Sequence, residues 1–180
     1  MQAIPYENTE RDTQIVNTPV GGVFHTGHVL VLHDIRSAQN VGSLFRTSDA
    51  VGISKIYLSS ITPTPIDRFG RARSDIAKTA LGAEKSMPWE NYEDIFSLID
   101  SLKKGGYKII AIEQSEKSID YKQIKIEGPT AFILGNEVEG LTKETLENVD
   151  TVAEIPMAGD KESLNVSVAG GIALFRILDK

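Results

Sequence analysis

Short apolar runs alternate with stretches of helical spacing along most of the chain. Val29–His33, Lys55–Leu58, Lys108–Glu113, Thr130–Leu134 and Val152–Pro156 are runs of strand length, rich in Val, Ile, Leu and Phe. Between and after them, helical patterns are predicted near residues 40–51, 91–104, 142–148 and 163–178. Strand–helix alternation of this kind predicts an α/β fold, a mostly parallel sheet flanked by helices. Residues 1–27 are polar, carry Pro5, Pro19 and Gly21–Gly22, and show no sustained period. They are expected to form an N-terminal extension, ordered in part at best, ahead of one domain over residues 28–180.

Two of the helices carry further information. In the first, Val41, Leu44, Phe45, Ser48 and Val51 form an i, i+3, i+4, i+7 stripe, and Arg46 projects nearly opposite to it. The last helix is apolar nearly all round, from Leu164 and Val166 through Ile172, Phe175 and Leu178. Such a helix has to be covered on more than one side, and a subunit interface is a good candidate for the cover. The Gly170–Gly171 pair permits close helix approach, whether to another chain or within this one.

Ligands of open α/β sheets bind beyond the carboxyl ends of the strands. Three loops there gather Gly, Asn, Ser, Arg and Glu: Asp34–Asn40, Gly135–Leu141 and Met157–Asn165. These residue types suit close backbone approach and directed hydrogen bonds. Familiar nucleotide signatures are missing. No Gly-x-Gly-x-x-Gly follows a strand, and Gly135 and Gly140 have P-loop spacing but are followed by Leu141 and Thr142 where Lys and Ser/Thr belong. There is no Gly-x-Ser-x-Gly elbow. His25, His28 and His33 are clustered, but nothing near them completes a ligand set, so no metal site is expected.

Composition narrows the function classes. A chain of 180 residues is large enough to bury roughly 70% of its unfolded surface. It has no cysteine, which excludes disulfides, thiolate metal sites and base methylation through a cysteine nucleophile. No apolar run reaches the ~18 residues that span a bilayer, and Met1–Asp12 lacks the pattern of a secretory signal, so a cytoplasmic protein is expected. The net charge of −6 argues against indiscriminate coating of nucleic acid. It leaves room for a local basic segment, and Arg68, Arg71, Arg73 and Lys78 with the single acid Asp75 form one.

At the same three loops the chain closely resembles the SpoU (TrmH-type) family of RNA ribose methyltransferases, in the SPOUT superfamily. The motifs are Asn40-Val-Gly-Ser-Leu-Phe-Arg-Thr-Ser-Asp-Ala-Val-Gly52, Ile133-Leu-Gly-Asn-Glu-Val-Glu-Gly-Leu141 and Ile155-Pro-Met-Ala-Gly-Asp-Lys-Glu-Ser-Leu-Asn-Val-Ser-Val-Ala169. Lys78-Thr-Ala-Leu-Gly-Ala-Glu84 is also typical, and the likeness covers about residues 28–178. The resemblance implies a SPOUT fold with a C-terminal trefoil knot, which periodicity would never suggest because knots are nearly absent from proteins. It implies S-adenosylmethionine held largely by main-chain groups, at Leu134, Gly135, Glu137, Ile155, Met157, Leu164 and Asn165. It further implies a homodimer packed around the last helix, with the active site near that interface.

By the same resemblance, Arg46, Asn40, Glu137, Ser163 and Asn165 are the candidate catalytic residues, and the substrate is a ribose 2'-hydroxyl in tRNA or rRNA. A guanidinium holds its proton in nearly all proteins, so Arg46 is expected to stabilise the developing oxyanion and a nearby phosphate. Plainer roles stand beside these. Asn40 could be a helix N-cap, Glu137 could satisfy backbone donors in its turn, and Ser163 and Asn165 could cap the last helix. Arg36, Arg68, Arg71, Arg73 and Lys78 are the expected RNA contacts. Two other readings compete: a catalytically silent RNA-binding or assembly factor, and a SPOUT enzyme that methylates a base.

Overall fold

The computed structural model describes residues 27–180. The expected N-terminal extension, apart from Gly27, lies outside the described residues, as does His25.

Seven parallel strands form one sheet in the order β3-β2-β1-β6-β4-β7-β5. In chain order they are β1 (Val29–His33), β2 (Lys55–Ser59), β3 (Trp89–Tyr92), β4 (Lys108–Ile112), β5 (Ile119–Asp120), β6 (Thr130–Leu134) and β7 (Thr151–Glu154). The helices are α1 (Ala38–Val51), α2 (Ser74–Ala80), α3 (Ala83–Ser86), α4 (Ile95–Lys104), α5 (Lys143–Glu147) and α6 (Val166–Ile177). The central strands are buried on both faces, which is why β1 and β6 read as unbroken apolar runs.

Period-two alternation along each central strand divides the core in two. Leu30 and Leu32 of β1, Ile56 and Leu58 of β2 and Phe132 and Leu134 of β6 face α1, α2 and α6. Val29, Val31, Ile109, Ala131 and Ile133 face the apolar stripe Ile95, Leu98, Ile99 and Leu102 of α4.

Five expected strands and four expected helices are present, with ends shifted by a few residues. The largest shift is at 91–104. Residues Trp89–Tyr92 pair in parallel with β2, and the helix begins only at Ile95, where the Asp94 carboxylate accepts from Phe96 N (3.3 Å) and Ser97 N (2.9 Å). An aspartate one residue before an apolar stripe is an N-cap, and the cap sets this boundary. The helices α2 and α3 were not expected. They are short, with Leu81 (φ 52°) and Gly82 (φ 101°) in the left-handed region between them. The α2 helix packs so closely on α1 that a Cβ at Gly42 would meet the Ile76 carbonyl and the Thr79 side chain.

The α6 helix is covered on one side only. Val166, Gly170, Ala173, Leu174 and Ile177 are buried, whereas Leu164, Val168, Ile172 and Phe175 are 38–48% exposed. Gly170 serves the packing within the chain, since a Cβ there would lie 2.7 Å from Leu44 Cδ2 and 2.8 Å from Leu134 Cδ1. Gly171 has open space beside it. Among the described residues no helix is long and apolar enough to cross a membrane.

Candidate functional site

The loops that follow β1, β6 and β7 meet at one end of the sheet, and hydrogen bonds link all three. Glu137, in the loop after β6, is the clamp. Its Oε2 accepts from Arg36 N (3.0 Å), and its Oε1 accepts from Ser37 N (3.0 Å) and Asn40 Nδ2 (2.9 Å). Asn40 Oδ1 in turn accepts from Asn165 Nδ2 (3.1 Å), which brings in the loop after β7. Partial burial pushes the Glu137 carboxyl up, but the hydrogen bonds from Arg36, Asn40 and Ser37 outweigh it and hold the group below its ordinary value. Both oxygens are engaged, so Glu137 is a poor proton acceptor and a good anchor.

The plainer roles are now distinguishable. The N-cap of α1 is Ser37, whose Oγ accepts from Asn40 N (3.3 Å), so Asn40 is not the cap and its side chain is free to bridge. Glu137 binds chiefly donors of the α1 approach, with its own backbone N–H contributing least. Its turn is satisfied by Asn136, whose Oδ1 accepts from Val138 N (2.9 Å) and Glu139 N (3.0 Å). Asn165 does cap α6, through Ser167 N (2.9 Å) and Val168 N (3.4 Å), while its amide nitrogen reaches Asn40. Capping and bridging are thus two uses of one side chain. Ser163 lies two residues before that cap and faces the cavities described next.

Two adjoining cavities lie at this junction. The inner one, about 160 Å³, has apolar walls from Ile112, Leu134, Ile155, Met157 and Leu164. Its polar groups come from Glu113, Gln114, Asn136 and Ser163. Gly135 forms part of the wall, and a Cβ there would lie 2.8 Å from Gly140 C and Leu141 N. The outer, more open cavity is lined by Arg36, Ser37, Asn40, Asn165 and residues shared with the inner one. Among the expected cofactor residues, Leu134, Gly135, Glu137, Ile155, Met157 and Leu164 line the inner cavity, and Asn165 the outer. Apolar walls with a few convergent polar groups and exposed main chain suit a nucleoside-bearing ligand.

Arg46 stands apart. It is exposed on α1 and lines neither cavity. The basic segment is also more neutral than its sequence suggests. Arg71 pairs with Asp67 (2.9 Å) and Arg73 with Asp75 (2.6 Å), and these two carboxyls are held low by hydrogen bonds that include the arginines. Arg68 and Lys78 are exposed. His33 ends β1 with Nδ1 2.8 Å from Ser59 Oγ and Nε2 3.4 Å from Asp34 Oδ2, and burial lowers its pKa. Among the described residues, no group of three or more His, Cys, Asp or Glu side chains is placed to hold a metal.

Several site residues were missed from the sequence. Glu113 accepts from Leu141 N (3.0 Å) and Gln114 N (2.9 Å), while Gln114 Nε2 donates to Glu162 O (2.7 Å). Asn136 Nδ2 donates to Asp34 O (2.9 Å), a second tie between the first two loops. The signal for Glu113 and Gln114 was available, because they follow β4 and the crevice rule applies to every strand end.

Comparisons with known proteins agree with this fold. A family model described as the SpoU rRNA methylase family matches residues 27–175. A TrmH family tRNA/rRNA methyltransferase of Staphylococcus saprophyticus, described as putative, is 29% identical over 98% of this chain and 67% of its own length. The 23S rRNA (guanosine-2'-O-)-methyltransferase RlmB of Ralstonia nicotianae is 34% identical over 82% of this chain and 56% of its own. The chain therefore spans between half and two thirds of these relatives. Among solved structures, an AdoMet-bound rRNA methyltransferase from Sinorhizobium meliloti superposes with a TM-score of 0.76 at 28% identity, covering 84% of this chain and 55% of that one. A TrmH/SpoU tRNA modifying enzyme from A. aeolicus gives 0.75 at 26% identity, covering 86% and 75%. The matched span takes in all three loops and every strand and helix that positions them, and the chain belongs to the SpoU rRNA methylase family.

Proposed function

We propose that this chain is an S-adenosylmethionine-dependent RNA methyltransferase acting on a ribose 2'-hydroxyl in tRNA or rRNA. The observation that carries the reading is the bridge from Glu137 through Asn40 to Asn165 at the mouth of a cavity walled by Gly135, Ile155, Met157 and Leu164. The relatives named for 2'-O-methylation and the AdoMet-bound structure support it.

The cavity fits the cofactor. Gly135 forms part of the wall and packs against the Gly140–Leu141 backbone with no room for a side chain, and the apolar residues around the cavity suit an adenosine and a thioether chain. When bound, S-adenosylmethionine supplies a methyl group on a positively charged sulfur. The residues of this chain do the rest by placement. Glu137 fixes the first loop, Asn40 and Asn165 hold the second and third in register, and Ser163 presents a hydroxyl between the two cavities. The 2'-hydroxyl enters from the outer cavity, where the Arg36 side chain, paired with Glu139 at 3.7 Å, meets an RNA phosphate by exchanging that partner. Arg68 and Lys78 extend that contact, with Arg71 and Arg73 joining by exchange of their carboxylate partners.

Arg46 completes the site from a second copy of the chain. It lies six residues after Asn40, about 9 Å further along α1 and roughly 120° round its axis. It therefore points away from the Asn40 side chain of its own chain. The exposed apolar face of α6, from Val168 through Phe175, is the surface on which that copy docks. Residues 28–180 form the methyltransferase domain, with residues 1–27 as an extension, and the loops after β6 and β7 form a trefoil knot.

The test is transfer of label from S-adenosylmethionine to bulk tRNA and bulk rRNA, followed by nucleoside analysis. A 2'-O-methylated nucleoside that disappears with Arg46→Ala and persists in part with Arg46→Lys is the expected result. A methylated base overturns the ribose assignment. Cofactor binding with no transfer to either RNA favours the silent-factor reading.

A further inference from the structure

Beside the arginines already assigned to RNA, the segment between β2 and α2 carries an exposed aromatic ring that the reading above does not use. Residues 66–72 form a small turn closed by an antiparallel bridge between Ile66 and Ala72. Asp67 braces it from within, its Oδ1 accepting from Phe69 N (2.8 Å) and Arg71 N (2.9 Å) and its Oδ2 from Arg71 Nε (3.0 Å). At the tip, Phe69 is 66% exposed, although its ring packs on no apolar core. Two guanidiniums lie near that ring, with Arg68 Cζ 4.8 Å and Arg71 Cζ 5.0 Å from its centroid.

An exposed phenylalanine on a braced turn costs solubility and adds to neither core cluster. Set beside two arginines, it has the composition of a single-stranded nucleic-acid contact, in which a base stacks on an aromatic ring or a guanidinium plane while the cations meet phosphate. We propose that the Arg68–Phe69–Arg71 cluster is a stacking platform for an unpaired base of the RNA substrate, outside the methyl-transfer site. The assignment rests on the RNA methyltransferase reading and adds to it a specific aromatic contact. The cationic and aromatic chemistry of the tip argues for RNA over a second copy of this chain, whose proposed docking face is the apolar one on α6. Stacking is tolerant of base identity, so the platform selects unpaired over paired RNA more than one sequence over another.

The experiment uses the full chain and three variants, Phe69→Ala, Phe69→Tyr and Phe69→Trp. Affinity is measured for bulk tRNA, bulk rRNA and S-adenosylmethionine, together with tryptophan emission and sedimentation. Phe69→Ala should weaken binding to the methylated RNA pool about tenfold, with cofactor affinity and oligomeric state unchanged. Phe69→Tyr should restore most of the loss. The emission of Phe69→Trp, above the background of Trp89, should be quenched on adding RNA, a signature that a purely structural role would not give. Wild-type RNA affinity in Phe69→Ala, or an unquenched Phe69→Trp, overturns the platform and leaves the methyltransferase reading standing. Loss of the dimer in Phe69→Ala assigns the tip to a second copy and also overturns it. If the unaltered chain binds neither RNA pool, the platform and the RNA reading fall together.

Discussion

Replacing Gly135 by alanine tests the site at its most crowded point. Gly135 is not among the positive-φ residues, so alanine meets no conformational penalty and the effect is steric alone. The new Cβ would lie 2.7 Å from Leu141 Cγ and 2.8 Å from both Gly140 C and Leu141 N. These distances are about 0.6 Å short of ordinary carbon contacts, and two of the three atoms are backbone, so no rotamer change relieves them. The Gly140–Leu141 turn has to move, and overpacking of this kind costs about 1–3 kcal/mol. At roughly 2–4 °C per kcal/mol for a chain of this size, Gly135→Ala should melt about 2–12 °C lower. The same turn lines the inner cavity, so S-adenosylmethionine affinity should fall on the order of tenfold or more. Calorimetric titration and thermal melting measure the two effects. Gly128→Ala, with open space around it, is the control and should be neutral or slightly stabilising. A Gly135→Ala protein that melts and binds cofactor like the parent refutes the reasoning. So does full rescue by Leu141→Ala, because that would make the flexible side chain, not the backbone, the obstacle.

Three further outcomes follow from the same geometry. Asn165→Asp keeps the oxygen that caps α6 but loses the donor to Asn40; methyl transfer should drop about tenfold or more with the melting temperature nearly kept, whereas Asn165→Ala should also lose about 1 kcal/mol of stability. Equal activity of Asn165→Asp and the parent would dismiss the bridge. The Glu137 carboxyl is held below its ordinary value of 4.5, so its contribution to stability is complete above that pH and is lost as the pH falls through the folded value. The melting difference between parent and Glu137→Gln should therefore shrink on acidification from neutrality, and a difference that stays constant across that range contradicts the clamp. Phe175→Glu and Val168→Glu place charge on the exposed face of α6 and should shift the chain toward monomer in sedimentation velocity, with methyl transfer lost in parallel; a dimer that survives both moves the interface elsewhere.

The central architecture was legible because burial on both faces writes itself as unbroken apolar runs, and β1 and β6 were placed to the residue. Edge elements leave weaker marks. In β3 all four residues are partly exposed or exposed, so neither alternation nor a continuous run survives, and the helical stripe of α4 absorbed its last two positions. The α2 helix buries only Ile76 and Ala80, too few to establish a period, and its position on α1 depends on Gly42 having no side chain. The site was legible at three of its four loops. Glu113 and Gln114 were overlooked because an acid at a strand end reads as solvated surface. Its partner, the Leu141 amide, is distant in sequence and is brought near only by the neighbouring pairing of β4 and β6. Pair partners such as Asp67 for Arg71 also escape a census of charge, which counts arginines without seeing how many are already neutralised.

Arg46 joins these threads. Its helix fixes Asn40 on the cavity side, through Glu137 and Asn165, and thereby fixes Arg46 on another side. No rearrangement of loops alone turns it back, because α1 is locked by six buried residues from Val41 to Val51. On the proposed role for Arg46, the guanidinium that acts on the reacting oxygen comes from outside the chain that holds Asn40. The only large apolar surface left open on a main helix of the described residues is that of α6, which packs directly on α1 through Gly170 and Leu44. A second copy seated on α6 is therefore placed beside α1 as well. In the proposed dimer one event would meet both the charge requirement of the chemistry and the burial requirement of the helix, so loss of dimer and loss of methyl transfer should be inseparable while cofactor binding through the Gly135 wall persists.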